Sequence, residues 1–129
     1  MKALVSLKYQ PRYFTDEEFK RASPACFLSD MSCQFMKFLD EAREKAGIPF
    51  VISSAYRTVE HELQRGRPGT SSHCKGIAVD IKCWSSVNRL KIVKALIECG
   101  AVRIGIHPKF IHVDLDYTKP QCIWLYDNV

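Results

Sequence analysis

Apolar residues recur at helical spacing from Ser29 or Asp30 onward, at Met31, Phe35, Phe38, Leu39, Ala42 and Ala46, and Gly47 with Pro49 beyond closes the run. A stripe bounded by a cap residue and a glycine predicts an amphipathic helix. A second helix is predicted from a Ser85 or Ser86 cap through Leu90, Val93, Leu96 and Ile97, with Gly100 just past its end. A short helix over about 15 to 21 opens on Thr15-Asp16-Glu17-Glu18, in which Thr15 and Glu18 have capping-box spacing.

Other segments carry the period of strands. Phe50 to Tyr56 is rich in β-branched and aromatic residues, follows a Gly/Pro boundary and predicts a strand ending near Arg57. Gln64 to Ser72, with Gly66, Pro68 and Gly69, predicts a loop from which His73 emerges. Ile77, Val79 and Ile81 then alternate with Ala78 and Asp80, as in a strand with one packed face. Two more strands are expected to complete the fold. The later one, Phe110 to Leu115, sets Ile111, Val113 and Leu115 on one face and His112 with Asp114 on the other. Because strands and helices do not alternate regularly, the predicted class is α+β with a small antiparallel sheet packed with helices.

Composition narrows this picture. A chain of 129 residues, 47% hydrophobic and 26% charged, fits one globular domain over residues 1–129 and is expected to be a monomer. No apolar run nears the roughly 20 residues that span a bilayer. Lys2 is followed by only Ala3-Leu4-Val5 before polar residues intervene, so no export signal is read and synthesis in the cytoplasm is expected. Nineteen basic against 14 acidic residues give a net charge of +5, which favours anionic polymers such as cell-wall material. No dense basic run with interleaved aromatics is present, so nucleic acid is not favoured. The six cysteines lack C-x-x-C spacing and are expected to be mostly buried free thiols.

The candidate chemistry lies on the polar faces of two strands. Asp80 and the pair His112 and Asp114 are flanked by core-forming residues, and charged groups beside a core need partners. His73 can reach the same region because Gly76 lets the chain bend back. Two imidazoles and one carboxylate make the open shell of a catalytic zinc site. A His and an Asp on strands also serve as a hydrogen-bonded pair, and spacing leaves both readings open.

The stretch Ser71-Ser72-His73-Cys74-Lys75-Gly76-Ile77-Ala78-Val79-Asp80-Ile81 resembles the S-x-H-x-x-G-x-A-x-D-I signature of the zinc D-alanyl-D-alanine carboxypeptidase family, which shares its fold with the hedgehog signalling domain. Three further segments are similar to that family in the same order: Phe35 to Phe50, Ile52 to Arg57 with Glu60-His61, and Gly105 to Asp114. The resemblance covers residues 14–115. It implies that His73, Asp80 and His112 bind Zn2+ and that Arg57 lies beside the metal, holding an anionic group of the substrate and steadying the oxyanion. A bound Zn2+ lowers the pKa of its water towards about 7 and polarises the scissile carbonyl.

One position departs from that pattern. Many relatives carry Glu or Asp three residues before the last zinc histidine, where this chain has Lys109. Asp114 is therefore read as either the base or a partner of His112, and His107 as a turn residue that could reach the site. His61 reads as a surface or helix-start residue, Trp84, Trp124 and Tyr126 as core or groove-lining aromatics, and Cys74 as a non-ligand.

The function this implies is a zinc metallopeptidase cutting amide bonds in peptidoglycan stem peptides, in the cell wall or periplasm. The short chain, with no wall-binding module, fits an endopeptidase such as a phage lysin domain. A D-Ala-D-Ala carboxypeptidase and a catalytically inactive zinc-containing binding domain are the rivals.

Overall fold

A computed structural model describes residues 9–127. The stretch Lys2 to Lys8, which bears on an export signal, lies outside them. In chain order the elements are α1 (Asp16–Lys20), α2 (Cys33–Ala46), β1 (Ile52–Ser54), α3 (Val59–Gln64), β2 (Ala78–Lys82), α4 (Ser86–Glu98), β3 (Arg103–Ile106), β4 (Phe110–Asp114) and β5 (Cys122–Leu125). Two 3-10 turns, Leu28–Asp30 and Ser72–Lys75, precede α2 and β2. The strands form one sheet in the order β1-β2-β4-β3-β5, antiparallel except for the β3/β5 pair. This is the expected α+β class, with one parallel pair at its edge. No helix among the described residues is long and apolar enough to cross a membrane.

The sheet has two unlike faces. Val79, Ile81, Ile104, Ile111 and Val113 join Phe35 and Leu39 of α2 and Ile92 and Leu96 of α4 in the core. Asp80 and His112 alternate with these residues and face the other way, which frees that side of the sheet for chemistry.

Several boundaries differ from expectation for local reasons. Helix α2 is capped not by Ser29 or Asp30 but by Ser32, whose hydroxyl accepts from the Phe35 amide at 3.2 Å. Asp30 is already committed, since its carboxylate accepts from the Phe27 amide at 2.9 Å in the preceding turn. In α4 the buried stripe is Ile92, Ala95 and Leu96, while Leu90 and Ile97 are exposed. Both sets have helical spacing, and packing against α2 selects between them. Strand β1 is only Ile52–Ser54, because the chain beyond it bonds to the His73 turn rather than to β2. Gln64 ends α3 instead of opening the loop. Three strands rather than two follow α4, and β5 is the addition. It is a short edge strand whose Ile123 and Leu125 stay exposed, so its residues lack the half-buried alternation that marks β4. All six cysteines are free, but only Cys26 and Cys83 are buried.

Gly76 positions the turn before β2. Its φ is +71°, and a Cβ there would lie 2.6 Å from the Asp30 carbonyl oxygen. Its own carbonyl accepts from the Ser32 amide at 2.9 Å, which locks the His73 turn to the start of α2. Gly76→Ala combines a left-handed backbone with overlap onto fixed main chain, and is expected to destabilise the fold by about 2–3 kcal/mol. A chemical denaturation midpoint measures this, and an unchanged midpoint would refute the account.

Candidate metal centre

Cross-strand register builds the site. Ser54, Asp80, His112, Gly105 and Trp124 form one row across β1, β2, β4, β3 and β5. Asp80 and His112 sit side by side at its middle, and the 3-10 turn Ser72–Lys75 lowers His73 onto them. Ser71 caps that turn by accepting from the His73 amide at 3.1 Å. The ligand atoms of His73, Asp80 and His112 all lie within 4.8 Å of one another. Among the described residues this trio is the one His, Cys, Asp or Glu group that could hold a metal ion.

The outer nitrogen of each imidazole is already occupied. His73 Nδ1 lies 2.6 Å from the Ala55 carbonyl oxygen, so it donates there and leaves the Nε2 lone pair facing Asp80 Oδ1 at 3.4 Å. His112 Nε2 lies 2.7 Å from Asp114 Oδ2, which leaves Nδ1 facing the same Asp80 oxygen at 3.0 Å. A carbonyl or carboxylate behind each histidine is the usual support for a metal-ligating imidazole. Ligand atoms about 2 Å from a tetrahedral cation lie about 3.3 Å apart, which the two nitrogen–oxygen separations match. The donor set and its spacing therefore fit a metal ion.

Electrostatics point the same way. Burial opposes ionisation of Asp80, but hydrogen bonds and positive charge from His112 and His73 outweigh it and hold the carboxyl well below the usual range. Burial likewise disfavours the His112 imidazolium, and Asp114 and Asp80 overcome it, raising its pKa. Both shifts favour a charged His112–Asp80 pair, and a divalent cation bound there would compete with the His112 proton.

A second layer fixes the ligands. Asp114 is fully buried, and its Oδ2 also accepts from Arg103 Nε at 3.2 Å while Oδ1 accepts from the Asp116 amide at 2.9 Å. Asp116 accepts from Ser72 Oγ at 2.7 Å, from Lys75 Nζ at 3.1 Å and from Thr118 Oγ1 at 2.6 Å, which ties the His73 turn to the chain after β4. Burial resists its charge, yet these donors hold it below the usual carboxylate range.

A cavity of about 390 Å³ opens over the trio. Arg57, Arg67, Ser71 and Lys119 line it along with Phe110, Trp124 and Tyr126. Arg57 Nε lies 3.4 Å from the buried Glu62, which also accepts from Arg67 at 2.9 Å. Burial and the charge of Asp80 push the Tyr126 hydroxyl up to about 12, so it stays protonated.

The other residues singled out by the sequence lie elsewhere. Lys109 is exposed and does not line the cavity. His107 stacks on Phe110 in the β3–β4 turn, with ring centroids 4.3 Å apart, and is also absent from the lining. His61 is in the first turn of α3. Cys74 is half-buried and outside the trio, and burial raises its thiol pKa. Trp84, expected in the core or groove, is 68% exposed. Sequence reasoning missed Glu62, Arg103 and Asp116. The alternation His112, Asp114, Asp116 carried the signal for the last, since its period of two continues past the strand end at Asp114.

A search of curated proteins returned no match. Among solved structures the chain is similar to the Serratia marcescens L-Ala D-Glu endopeptidase ChiX, with a TM-score of 0.57 and 18% identity over 89% of this chain and 96% of that one. That likeness concerns the fold. The family described as peptidase M15 matches residues 12–114, a span that contains the trio, Arg57 and every strand except β5. The chain thus belongs to the peptidase M15 family.

Proposed function

We propose that residues 1–129 form a single-domain zinc peptidase that hydrolyses amide bonds in peptidoglycan stem peptides, acting as an endopeptidase in the cell wall or periplasm. The observation that carries this reading is the His73–Asp80–His112 trio on the floor of a groove lined by cationic side chains. Zinc held by these three residues would supply a Lewis acid and an acidified water at neutral pH.

The remaining roles belong to the chain. Arg57 has a buried Nε without a hydrogen-bond partner and is oriented by the charge of Glu62. Its guanidinium suits a substrate carboxylate or the oxyanion that develops on the attacked carbonyl. Asp114 fixes the tautomer of His112, and both its oxygens are engaged. We therefore assign it to holding His112 rather than to moving a proton. Asp114→Asn is expected to weaken metal affinity by about 10- to 100-fold without unfolding the protein. Competition with a chromophoric chelator reads this, and unchanged affinity would remove Asp114 from that role.

An endopeptidase is favoured over a carboxypeptidase because lining residues flank the trio on both sides, which accommodates a chain running past the cut bond. ChiX is an L-Ala D-Glu endopeptidase, and a cationic groove suits a glutamyl carboxylate. The rival reading, a zinc-containing binding domain, draws on Lys109, which puts no carboxylate at the position where relatives carry a base. Zinc-loaded protein is expected to free new amino groups from purified peptidoglycan. If it releases none, the binding reading replaces the peptidase.

A further inference from the structure

We propose that the aromatic wall contributed by β5 is a substrate subsite, seating a small apolar side chain of the peptide beside the bond that is cut. This rests on the peptidase reading above and adds a determinant of specificity to it.

The row that passes through Asp80 and His112 continues into Gly105 and ends on Trp124. A Cβ at position 105 would lie 2.6 Å from Cε2 and Cζ2 of Trp124 and 2.8 Å from Cε1 of Tyr126. The missing side chain is the space into which these two rings fit. The indole thereby reaches to 5.3 Å from the His112 ring, centroid to centroid. Arg103 fixes it there: the guanidinium lies 4.8 Å from the ring centroid and is itself held by Asp114 and the Pro120 carbonyl. Tyr126 is backed by Phe110 and His107 at 5.2 and 5.6 Å. The wall is rigid, half-buried and continuous with the metal centre.

Its surroundings indicate the ligand. Trp124 and Tyr126 line the same cavity as the trio, whereas their neighbours Ile123 and Leu125 are exposed on the strand's other face. Arg57, which follows β1 at the opposite edge of the sheet, shares Glu62 with Arg67, and these two line the cavity together with Lys119 and with Arg103 beside Trp124. An apolar wall in an otherwise polar groove gains most when an apolar group covers it, and charged groups gain most from opposite charge. A peptide lying along the row therefore sets a small apolar residue against Trp124 and an acidic neighbour towards Arg57. An alanine–glutamate pair has that character, and a D-alanyl-D-alanine end lacks the acidic side chain. The family match ends at residue 114, before β5, so this wall lies in a segment that the match does not cover.

Trp84 is the other tryptophan of the chain and is exposed, so Trp84→Phe leaves Trp124 as the single indole reporter. Titrating zinc-loaded Trp84→Phe protein with a stem tripeptide of alanine, D-glutamate and lysine is expected to give a saturable change in emission. No change overturns the subsite. On two peptides that differ only by alanine or glycine at that residue, wild type is expected to favour alanine by about fourfold in kcat/KM, the factor one buried methyl is worth. Trp124→Ala should lose that preference and raise KM by about tenfold with zinc content unchanged, and Trp124→Phe should keep most of both. An alanine preference that survives Trp124→Ala, or loss of zinc in that variant, overturns the proposal. Wild type that cuts neither peptide but still shows saturable emission counts against the peptidase reading and for the subsite.

Discussion

Replacing His73 by alanine is expected to abolish hydrolysis, with a loss of at least about a thousandfold in kcat/KM, because a Lewis acid and the water it acidifies are together worth several kcal/mol at the transition state. His73 brings one of the three ligand atoms, and its ring is almost fully buried between the Ala55 carbonyl and Asp80. Truncation leaves two ligands and a cavity, and Asp80 loses one of the two imidazole partners that favour its charged form. The same variant should therefore retain no zinc after dialysis against buffer with trace metal. Circular dichroism shows whether it remains folded, and His73→Gln, which fills more of the cavity, separates loss of ligand from loss of packing. A folded His73→Ala protein that keeps both zinc and activity would sink the assignment of the trio.

How much of this was legible beforehand follows from the range of each interaction. The caps at Thr15 and Ser85, the glycine after α2 and the alternation of β4 are local, and each stands where the chain's own pattern sets it. His73, Asp80 and His112 were visible as a set through resemblance, because their spacing alone allows an ordinary hydrogen-bonded pair. What escaped is non-local. Glu62 gains meaning only when the turn after β1 brings Arg57 beside it. Strand β5 is itself the edge and pairs in parallel with β3, so its partner is not its sequence neighbour β4 but the strand before it. Gly105 could be read as a family glycine, but not as the space for two aromatic rings, since those rings arrive from that unexpected strand. The stripe of α4 was misread for a related reason: spacing permits two faces, and only the position of α2 decides between them.

The second large effect is expected at Arg57. Its side chain is 17% exposed, it lines the cavity over the trio, and Glu62 attracts it without forming a hydrogen bond to Nε. A guanidinium in this setting keeps its donors available for substrate, and a donor aimed at a developing oxyanion is worth about 10²–10³ in kcat. Arg57→Ala should show a loss of that order with zinc content unchanged. Arg57→Lys should recover only part of it, because an ammonium supplies the charge but not the two-pronged geometry. The split between parameters tells which job dominates. If Arg57 steadies the oxyanion, kcat falls while KM stays nearly constant; if it holds a carboxylate of the bound peptide in both states, KM rises instead. Amidating the substrate's glutamyl carboxylate provides the control. Should Arg57 bind that group, the amidated peptide is a poor substrate for wild type and loses little more with Arg57→Ala; should it serve the oxyanion, both peptides suffer equally from the substitution. A variant with unchanged kcat and KM would place Arg57 outside the reaction and leave Glu62 as an ion-pair partner for Arg67 alone.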